Sequence, residues 1–353
     1  MTLQIYIVRQ LLLAFAFATT GILMIVLPSI AIQAIHKLGA VSLGVVARYL
    51  PMVVVELVPY LLPMAFLLGV VATFGRLAAE RELIAVRMAG VHPARLSLPV
   101  ILLAFALTGA TNILLAEVCP NWKYNQRSYM RQAQVEILRN LSRGRTEIEF
   151  GASSLKADDV HDNVFEGVLL DLVREDEERL TIDAERAVLE VNEDLLTIKL
   201  SGARVLAENA RLENESPVFH FSLDELIPMK RLERKRAKYH PSSRLRSELA
   251  SGDTTQERAD ELVYEIHRRH ALSVTYILFL LIGIPTGIVL RSSTQLGAFT
   301  GAIGYSFLYY LLAMRLSKEL ALSGAVHPLI AAWTTDAIFL VIGLVLFVRT
   351  LWR

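Results

Sequence analysis

The chain has 353 residues, 54% of them hydrophobic, and a formal net charge of +1. This hydrophobic share is too large for an ordinary soluble domain and indicates a membrane protein. The charge is balanced and the basic residues are divided among several loops, so nothing supports nucleic-acid binding. The only cysteine, Cys119, leaves no intrachain disulfide and no cysteine-pair metal site.

Six apolar segments are each long enough to cross about 30 Å of hydrocarbon as a helix. The first exceeds the apolar core of a signal peptide and is followed by no small-residue cleavage site, so we expect a lasting transmembrane helix. The fifth is the shortest. The predicted spans are residues 11–32, 50–74, 98–118, 272–290, 297–314 and 329–351.

Lysine and arginine residues in the short loops predict the orientation of these spans. With both termini in the cytoplasm, the cytoplasmic side carries more basic residues than the outer side. The cytoplasmic set is Arg9, Arg76, Arg81, Arg87, Arg95, Arg291, Arg349 and Arg353, and the outer set is Lys37, Arg48, Arg315 and Lys318.

Residues 76–90, between the second and third spans, are predicted to form a short cytoplasmic helix that ends at Gly90. Arg76 and Glu80 are spaced to pair at i,i+4, whereas Glu82 has only alanine and valine at its helical neighbour positions. A carboxylate on such a surface suits an Arg or Lys of another protein. A solvated loop helix without a partner explains the same residues equally well.

Residues 119–271 form a polar stretch that this orientation places outside the cytoplasmic membrane, and it is long enough for one compact domain. Strand-like segments recur in it at a spacing of roughly ten residues, which suggests a β-sandwich, a jellyroll or an open barrel. The segments are residues 146–150, 164–173, 179–183, 187–191, 195–200, 204–207 and 218–223.

A charged segment, residues 230–252, follows the strands and resembles a solvated linker with a short helix. Thr254 and Glu257 then form a capping-box pattern, and no proline appears until Pro285. One helix is therefore predicted to run from the outer side into the fourth span. Such a rod could relay motion between the outer domain and the membrane, although a helix that only continues past the bilayer fits the pattern as well.

Ionisable residues within membrane spans are costly, which points to a function. Several lie in the outer half of their predicted spans. They either form interhelical ion pairs that fix the packing, or line a polar cavity that accepts a charged amphiphile from the outer leaflet. They are Glu56, Glu117, Arg315 and Asp336, with Lys37 and Arg48 close by.

Two segments carry glycines at GxxxG spacing, which lets another helix approach closely. Gly297 and Gly301, in the fifth span, are the stronger candidates for a contact between subunits. Pro285, between Gly283 and Gly287, suggests a kink in the fourth span instead.

The sequence predicts neither a catalytic site nor a cofactor or metal site. The phosphate-binding pattern GxxxxGK[ST] is absent, so any ATP-derived work has to come from a partner that binds the ATP. Residues 158–162, Asp-Asp-Val-His-Asp, could bind a cation, but a polar turn is the better interpretation.

Four segments together carry a family resemblance. They are Leu77-x-x-Glu80-Arg81-Glu82-Leu83-x-Ala85-x-x-x-Ala89-Gly90, Glu117-Val118-Cys119-Pro120-Asn121, residues 265–272, and Gly283-Ile284-Pro285-Thr286-Gly287. With six spans and a large outer domain, the chain resembles the LptF/LptG permeases of lipopolysaccharide export over nearly its whole length. Cys119 stands where the family usually has valine.

The resemblance implies an α-helical membrane protein with six transmembrane helices and a jellyroll-like, all-β periplasmic domain inserted between helices 3 and 4. Residues 1–118 would hold helices 1–3 with the coupling helix 76–90, and residues 272–353 would hold helices 4–6. In the periplasmic domain, residues 119–271, the jellyroll would cover residues 144–223 and a linker and helix residues 224–271.

The resemblance also implies partners and site residues. The partners are an LptB-like cytosolic ATPase dimer, a second LptF/LptG-type permease, an LptC/LptA-like periplasmic bridge, and lipopolysaccharide as the substrate. Whether the second permease is a different chain or another copy of this one stays open. Glu82, Arg81, Arg87 and Gly90 would dock the ATPase, and Lys37, Arg48, Arg315, Gly297 and Gly301 would line the substrate route or gate.

Three classes of function follow. The first is a transport subunit without catalytic activity, driven by a separate ATPase. The second is a membrane-anchored scaffold whose β domain recruits an envelope partner and moves no lipid, and which would tolerate changes at Glu82 and Gly301. The third, a membrane enzyme acting on lipid, requires an acid/base or metal cluster assembled by folding.

Overall fold

The computed structural model describes residues 2–38, 43–92, 94–126, 128–129, 147–150, 153–161, 164–173, 179–191, 195–205, 218–222, 236–252, 254–290, 295–324 and 326–351. The chain forms two compact units. The helical unit comprises Met1–Gln33, Leu50–Tyr124 and Lys235–Arg353, and the sheet unit comprises Ala34–Tyr49 and Asn125–Arg234.

Residues 119–126 of the described chain are helical, and nine further α-helices have defined bounds. They are α1 (Thr2–Leu38), α2 (Leu43–Ala79), α3 (Glu82–Met88), α4 (Ala94–Ile113), α5 (Ser242–Ala250), α6 (Gln256–Val289), α7 (Gln295–Leu311), α8 (Ser317–Leu322) and α9 (Pro328–Leu351). Two π-helical turns, Leu114–Val118 and Leu312–Leu316, follow α4 and α7, and a 3-10 turn, Ala237–Tyr239, precedes α5.

Five stretches of helix among these residues are long and apolar enough to cross a membrane. They are Leu3–Gln33, Arg48–Ala79, Ala94–Gln126, Gln256–Val289 and Pro328–Leu351, and they correspond to all the predicted spans except the fifth. The predicted fifth span falls on α7, which has 17 residues and continues through a π-helical turn into α8. A sixth crossing stays a prediction.

The helix α6 is the centre of the helical unit. Its most apolar stretch is 72% buried, compared with 6% for α1. Tyr276 and Phe279 of α6 are completely buried, as is Phe66 of α2. The rings of Phe66 and Tyr276 meet edge to face at 5.6 Å, and those of Phe279 and Tyr309 of α7 at 5.3 Å. Aromatic contacts of this geometry fix how neighbouring helices pack on α6.

The helices α2 and α6 touch backbone to backbone near their C-terminal ends. A Cβ atom on Gly287 would lie 2.7 Å from the carbonyl oxygen of Val71 and 2.9 Å from the amide nitrogen of Gly75. One on Gly283 would lie 2.8 Å from the side chain of Leu67. The GxxxG pattern of Gly283 and Gly287 therefore serves close packing within the chain.

The sheet unit contains an antiparallel sheet of seven described strands. They are β1 (Glu147–Phe150), β2 (Ser153–His161), β3 (Val164–Val173), β4 (Arg179–Val191), β5 (Leu195–Ser201), β6 (Arg204–Val205) and β7 (Val218–Ser222). Successive strands pair in the order β1-β2-β3-β4-β5-β7. The short strand β6 pairs with β4 in the same register as β5, so β5 and β6 form one strand interrupted at Gly202. An all-β domain was predicted here, and its arrangement as a jellyroll stays a prediction.

In one row of paired residues across neighbouring strands, the regular alternation of inward and outward side chains is interrupted. Gly167 and Gly202 have φ values of 63° and 67°, and Glu185 lies between them in the register. Two successive residues on each of these strands are exposed at this row, and Phe165 and Val168 on either side are both buried. The left-handed glycines thus let both halves of the strands direct apolar residues to the core.

Two strand predictions were wrong. The residues 158–161, interpreted as a polar turn, lie in β2, where Leu155 and Ala157 alternate with exposed residues. Residue 162 lies outside the described residues. A single strand, Arg179–Val191, replaces the two that were predicted. The charged residues that suggested turns occupy the exposed side of the sheet, where polarity and strand structure are compatible.

Part of the charged segment 230–252 is folded rather than solvated. The 3-10 turn and α5 bury Ala237, Tyr239 and Leu245, and Leu245 packs with Leu262 and Ile266 of α6. The solvated-linker interpretation was wrong for residues 236–252, whereas the short helix predicted in this segment is present as α5. Residues 230–235 lie outside the described residues. Two helical turns of charged sequence hide one apolar face, which is easily missed in so short a segment.

Replacing Gly287 by alanine tests the contact between α2 and α6. We expect Gly287→Ala to lower the thermal unfolding midpoint of the detergent-solubilised protein, because the new methyl group displaces backbone atoms at a cost of about 1–3 kcal/mol. Gly109→Ala is the control, since a Cβ atom there meets no described atom within 4 Å. Equal midpoints for the two variants would contradict the packing described.

Candidate functional site

The loop between α2 and α4 holds the residues predicted to dock a partner. The helix α2 continues to Ala79, and α3 begins at Glu82. Between them Arg81 has φ 60° and ψ 14°, a left-handed conformation that costs a residue with a Cβ atom about 1–2 kcal/mol. The predicted single helix over residues 76–90 is therefore two helices. Gly90, with φ 77°, follows the end of α3 as predicted.

One side of α3 is anchored and the other is exposed. Leu83 is buried and belongs to the same core cluster as Leu96 of α4. Ile84 and Met88, one turn apart, are 44% and 85% exposed, and Arg87 beside them is exposed too. We call Ile84, Arg87 and Met88 the α3 face. An exposed apolar pair beside a guanidinium has the composition that protein interfaces favour.

The carboxylate of Glu82 is held by a residue of another helix. The hydroxyl of Tyr6 in α1 donates to Glu82 Oε1 at 3.2 Å, and Arg76 Nη2 donates to the same hydroxyl at 3.1 Å. The guanidinium carbon of Arg76 lies 6.0 Å from the centre of the Tyr6 ring. Glu82 is thus positioned by a neutral donor, and Arg76, which was expected to pair with Glu80, acts on it through Tyr6.

Sequence reasoning missed three residues of this region. Tyr6 lies in the first helix, and nothing local in the sequence links it to Glu82. Ile84 and Met88 carried a usable signal, because two large apolar residues at i,i+4 in a charged loop are either buried or part of an interface.

The three acids predicted inside the spans each bind a partner within the chain. Two of the partners are neutral, and one acid forms an ion pair between helices. None of these contacts joins the acids to one another. The contacts are Lys123 Nζ to Glu56 Oε1 at 3.4 Å, the amide and Oγ of Ser243 to the two Glu117 carboxylate oxygens at 3.1 and 2.9 Å, and the Tyr309 hydroxyl to Asp336 Oδ1 at 2.7 Å.

The other predicted gate residues lie on exposed or open surface. Arg48 and Arg315 are exposed, and the side chain of Lys37 lies outside the described residues. Gly297 is exposed, and a Cβ atom on Gly301 would meet only Leu290 Cδ1, at 3.7 Å. No ion pair within the described ranges links Arg48 or Arg315 to the acids of the spans. The structure does not gather these residues into one site.

The two histidines of α6 make hydrogen bonds to neighbouring helices. The ring of His270 lies 2.6 Å from Asn112 Nδ2 and 3.0 Å from a guanidinium nitrogen of Arg246. His267 accepts a hydrogen bond from the Trp333 indole at 3.4 Å. Among the residues that the structure describes, no group of three His, Cys, Asp or Glu side chains is arranged to hold a metal ion.

The chain has apolar helices that can span a membrane. An antiparallel sheet lies between the third and the fourth of these helices in sequence, and an exposed short helix follows the second. The sequence profile described as "Lipopolysaccharide export system permease LptF/LptG" matches residues 5–349. The chain belongs to the LptF/LptG family. A comparison with individual characterised proteins gives no match.

Membership of the LptF/LptG family confirms the resemblance seen in the sequence. The family is a permease component of lipopolysaccharide export. Together with five apolar helices, it makes the chain a multi-pass protein of the inner membrane. A permease component of a transporter is consistent with a non-catalytic role for this chain.

Arg81 offers a direct test of the break between α2 and α3. We expect Arg81→Gly to be more stable than Arg81→Ala by about 1 kcal/mol, because both variants remove the side chain but only alanine keeps the left-handed penalty. Amide hydrogen exchange of α3 in the purified protein measures the difference. Faster exchange in the glycine variant than in the alanine variant would contradict the conformation assigned to Arg81.

Proposed function

We propose that the chain is the permease subunit of an ABC-type exporter that extracts lipopolysaccharide from the outer leaflet of the inner membrane and passes it to a periplasmic bridge. ATP is bound and hydrolysed by a separate cytosolic ATPase dimer of the LptB kind. The chain itself holds no cofactor. The proposal includes six transmembrane helices, with both termini and the α3 face in the cytoplasm and the sheet unit, a jellyroll, in the periplasm.

The α3 face is the observation that carries this proposal. Its two exposed apolar side chains and its guanidinium lie on the same short helix as the positioned carboxylate of Glu82. Leu83 ties this helix to the core cluster that contains α2, α4 and α6. A partner that pushes or pulls α3 therefore acts directly on the packed centre of the helical unit, as a separate ATPase has to do.

Reversal of the charge at Glu82 tests the docking of the ATPase. We expect Glu82→Lys to reduce copurification of the ATPase with the membrane-inserted protein by about tenfold or more, because a repelling charge replaces a positioned carboxylate. Met88→Asp should act in the same direction by placing an unpaired charge in the apolar part of the interface.

The control for both variants is Glu319→Lys, an equal charge reversal on the exposed surface of α8. It should leave the ATPase bound. Full retention of the ATPase by Glu82→Lys and Met88→Asp would contradict docking at the α3 face, and retention of insertion is checked by membrane fractionation.

We further propose that α7 meets a second LptF/LptG-type permease at the gate through which lipid enters. On α7, a Cβ atom added to Gly304 would meet no described atom within 4 Å, and Phe307 is 70% exposed. The helix α1 likewise exposes apolar side chains, with Phe17 and Ile25 at 78% and 77% exposure. Two helices with exposed apolar side chains, one of them carrying small residues, support an entrance between subunits. Lipid would enter laterally between the first span of one subunit and the fifth span of the other.

Enlarging Gly301 tests the gate. We expect Gly301→Leu to lower ATP-dependent lipid release by about tenfold or more, because the branched side chain keeps the opposing helix from approaching. Gly109→Leu adds the same side chain at an open position of α4 and should leave release unchanged. Unimpaired release in Gly301→Leu would contradict a gate at this face of α7.

The sheet unit is proposed to receive the lipid and to contact an LptC/LptA-like bridge. Among the described strands, β1 and β7 are the two ends of the sheet. Strands at sheet edges carry unpaired backbone donors and acceptors, so they accept a strand of another protein by edge-to-edge pairing. This supports a continuous β path from the permease to the bridge.

A further inference from the structure

The guanidinium of Arg269 in α6 is buried and fully engaged. Only 2% of this residue is exposed. All three of its nitrogen atoms donate hydrogen bonds, which a buried charge requires. The bonds run from Nε to Glu265 Oε1 (3.0 Å), from Nη1 to the carbonyl oxygens of Ala116 (3.2 Å) and His240 (2.9 Å) and to Ser242 Oγ (3.0 Å), and from Nη2 to the carbonyl oxygen of Ala237 (3.2 Å).

These acceptors lie on the two segments of the helical unit that flank the Asn125–Arg234 part of the sheet unit. The chain leaves the helical unit after Tyr124 and returns to it at Lys235. Ala116 is in the π-helical turn shortly before the exit, and Ala237 and His240 follow the return. We call residues 114–124 the outgoing connection and residues 236–252 the returning connection. Arg269 bonds both of them.

A second contact joins the same two connections. Glu117 of the outgoing connection accepts hydrogen bonds from the amide and the hydroxyl of Ser243, in the first turn of α5. A carboxylate at a helix N-terminus stabilises that helix. Arg268 donates two bonds to Glu265, so the guanidinium groups of Arg268 and Arg269 share this carboxylate.

The opposite end of α6 reaches the region of the α3 face. Gly287 packs on Gly75 of α2, and Gly75 directly precedes Arg76, which binds the Tyr6 hydroxyl that holds Glu82. From Arg269 to Gly287 the helix measures about 27 Å at 1.5 Å per residue. One helix therefore contacts the α3 end of the unit through a glycine and both connections through an arginine.

We propose that Arg269 is a positioning residue that locks the outgoing and the returning connection to α6, so that a displacement of α6 begun at the α3 end moves the two connections together. The source of that displacement rests on the proposed export function. The lock itself rests only on the hydrogen bonds of Arg269. A planar guanidinium is needed because its fork reaches acceptors on several sides, and an ammonium group on a lysine stem cannot bond all of them at once.

Amide hydrogen exchange of the full-length protein in detergent tests the lock. We expect Arg269→Lys to accelerate exchange about tenfold or more in both connections, because several bonds to a charged group are lost from each. Arg268→Lys is the matched control, since Arg268 lies on the same helix and bonds the same Glu265 but neither connection. Acceleration in only one connection, in neither, or equally in the control would overturn the proposal.

Ser242→Ala provides a second variant that removes one acceptor and leaves Arg269 in place. It should accelerate exchange in the returning connection and leave the outgoing connection unchanged. If Arg269→Lys cannot be recovered in folded form, the exchange rates of Ser242→Ala test the lock instead. Unchanged exchange in the returning connection of Ser242→Ala would overturn the lock.

A functional measurement separates this inference from the proposed function. In vesicles containing the copurified ATPase and lipopolysaccharide, Arg269→Lys should keep ATP hydrolysis within about twofold of the wild type while lipid release falls about tenfold. Equal loss of both activities would overturn the relay role. If the wild-type protein binds no ATPase and releases no lipid, the export function fails, whereas the exchange experiment still decides whether Arg269 locks the connections.

Discussion

Hydrocarbon offers no hydrogen-bond partner, so the polar side chains that α6 carries into the helical unit have to be matched by neighbouring helices. The Tyr276 hydroxyl accepts a hydrogen bond from Thr111 of α4, and Thr275 bonds the Tyr309 hydroxyl of α7. Arg269 extends the same principle to backbone carbonyls beyond the helix ends. Each match fixes one neighbour against α6, and the apolar packing fills the space between these fixed points.

Close backbone contact supplies the second constraint. The glycines of the fourth span bring α6 against α2, and α2 leads directly into the left-handed turn at Arg81 and the exposed helix α3. The strain at Arg81 is held in place by Leu83, which is buried in the core cluster of α2, α4 and α6. The α3 face, where we propose that the ATPase docks, is thus tied to the most buried of the five spans, a connection that the proposed coupling requires.

The sequence predicted the elements that depend on average hydropathy. Five spans were found, because long apolar runs need no long-range information, and the β strands were found where alternation was regular. The break at Arg81 was missed, because arginine carries no signal for a left-handed conformation. Residues 158–161 lie in a strand although their sequence predicts a turn, because two adjacent aspartates at the irregular row of the sheet have the composition of one.

The candidate site shows the same limit at longer range. Glu82 and Gly90 were identified from local spacing, but Tyr6 and Arg76 were not linked to Glu82, because their contact depends on the packing of α1 against α2. Arg269 lay within the family motif of the fourth span, yet its acceptors include three backbone carbonyls that no sequence pattern marks. Residues whose partners are backbone atoms are the ones that only a structure reveals.

The central claim is that this permease moves lipopolysaccharide with energy supplied by a separate ATPase. Its most direct test is to purify the tagged chain with its native partners, reconstitute the complex in vesicles that contain lipopolysaccharide, and follow lipid release on addition of ATP. We expect release that requires ATP hydrolysis and is absent from vesicles lacking this chain. A complex that binds its partners and hydrolyses ATP, yet leaves all of the lipopolysaccharide in the vesicles, would contradict the claim.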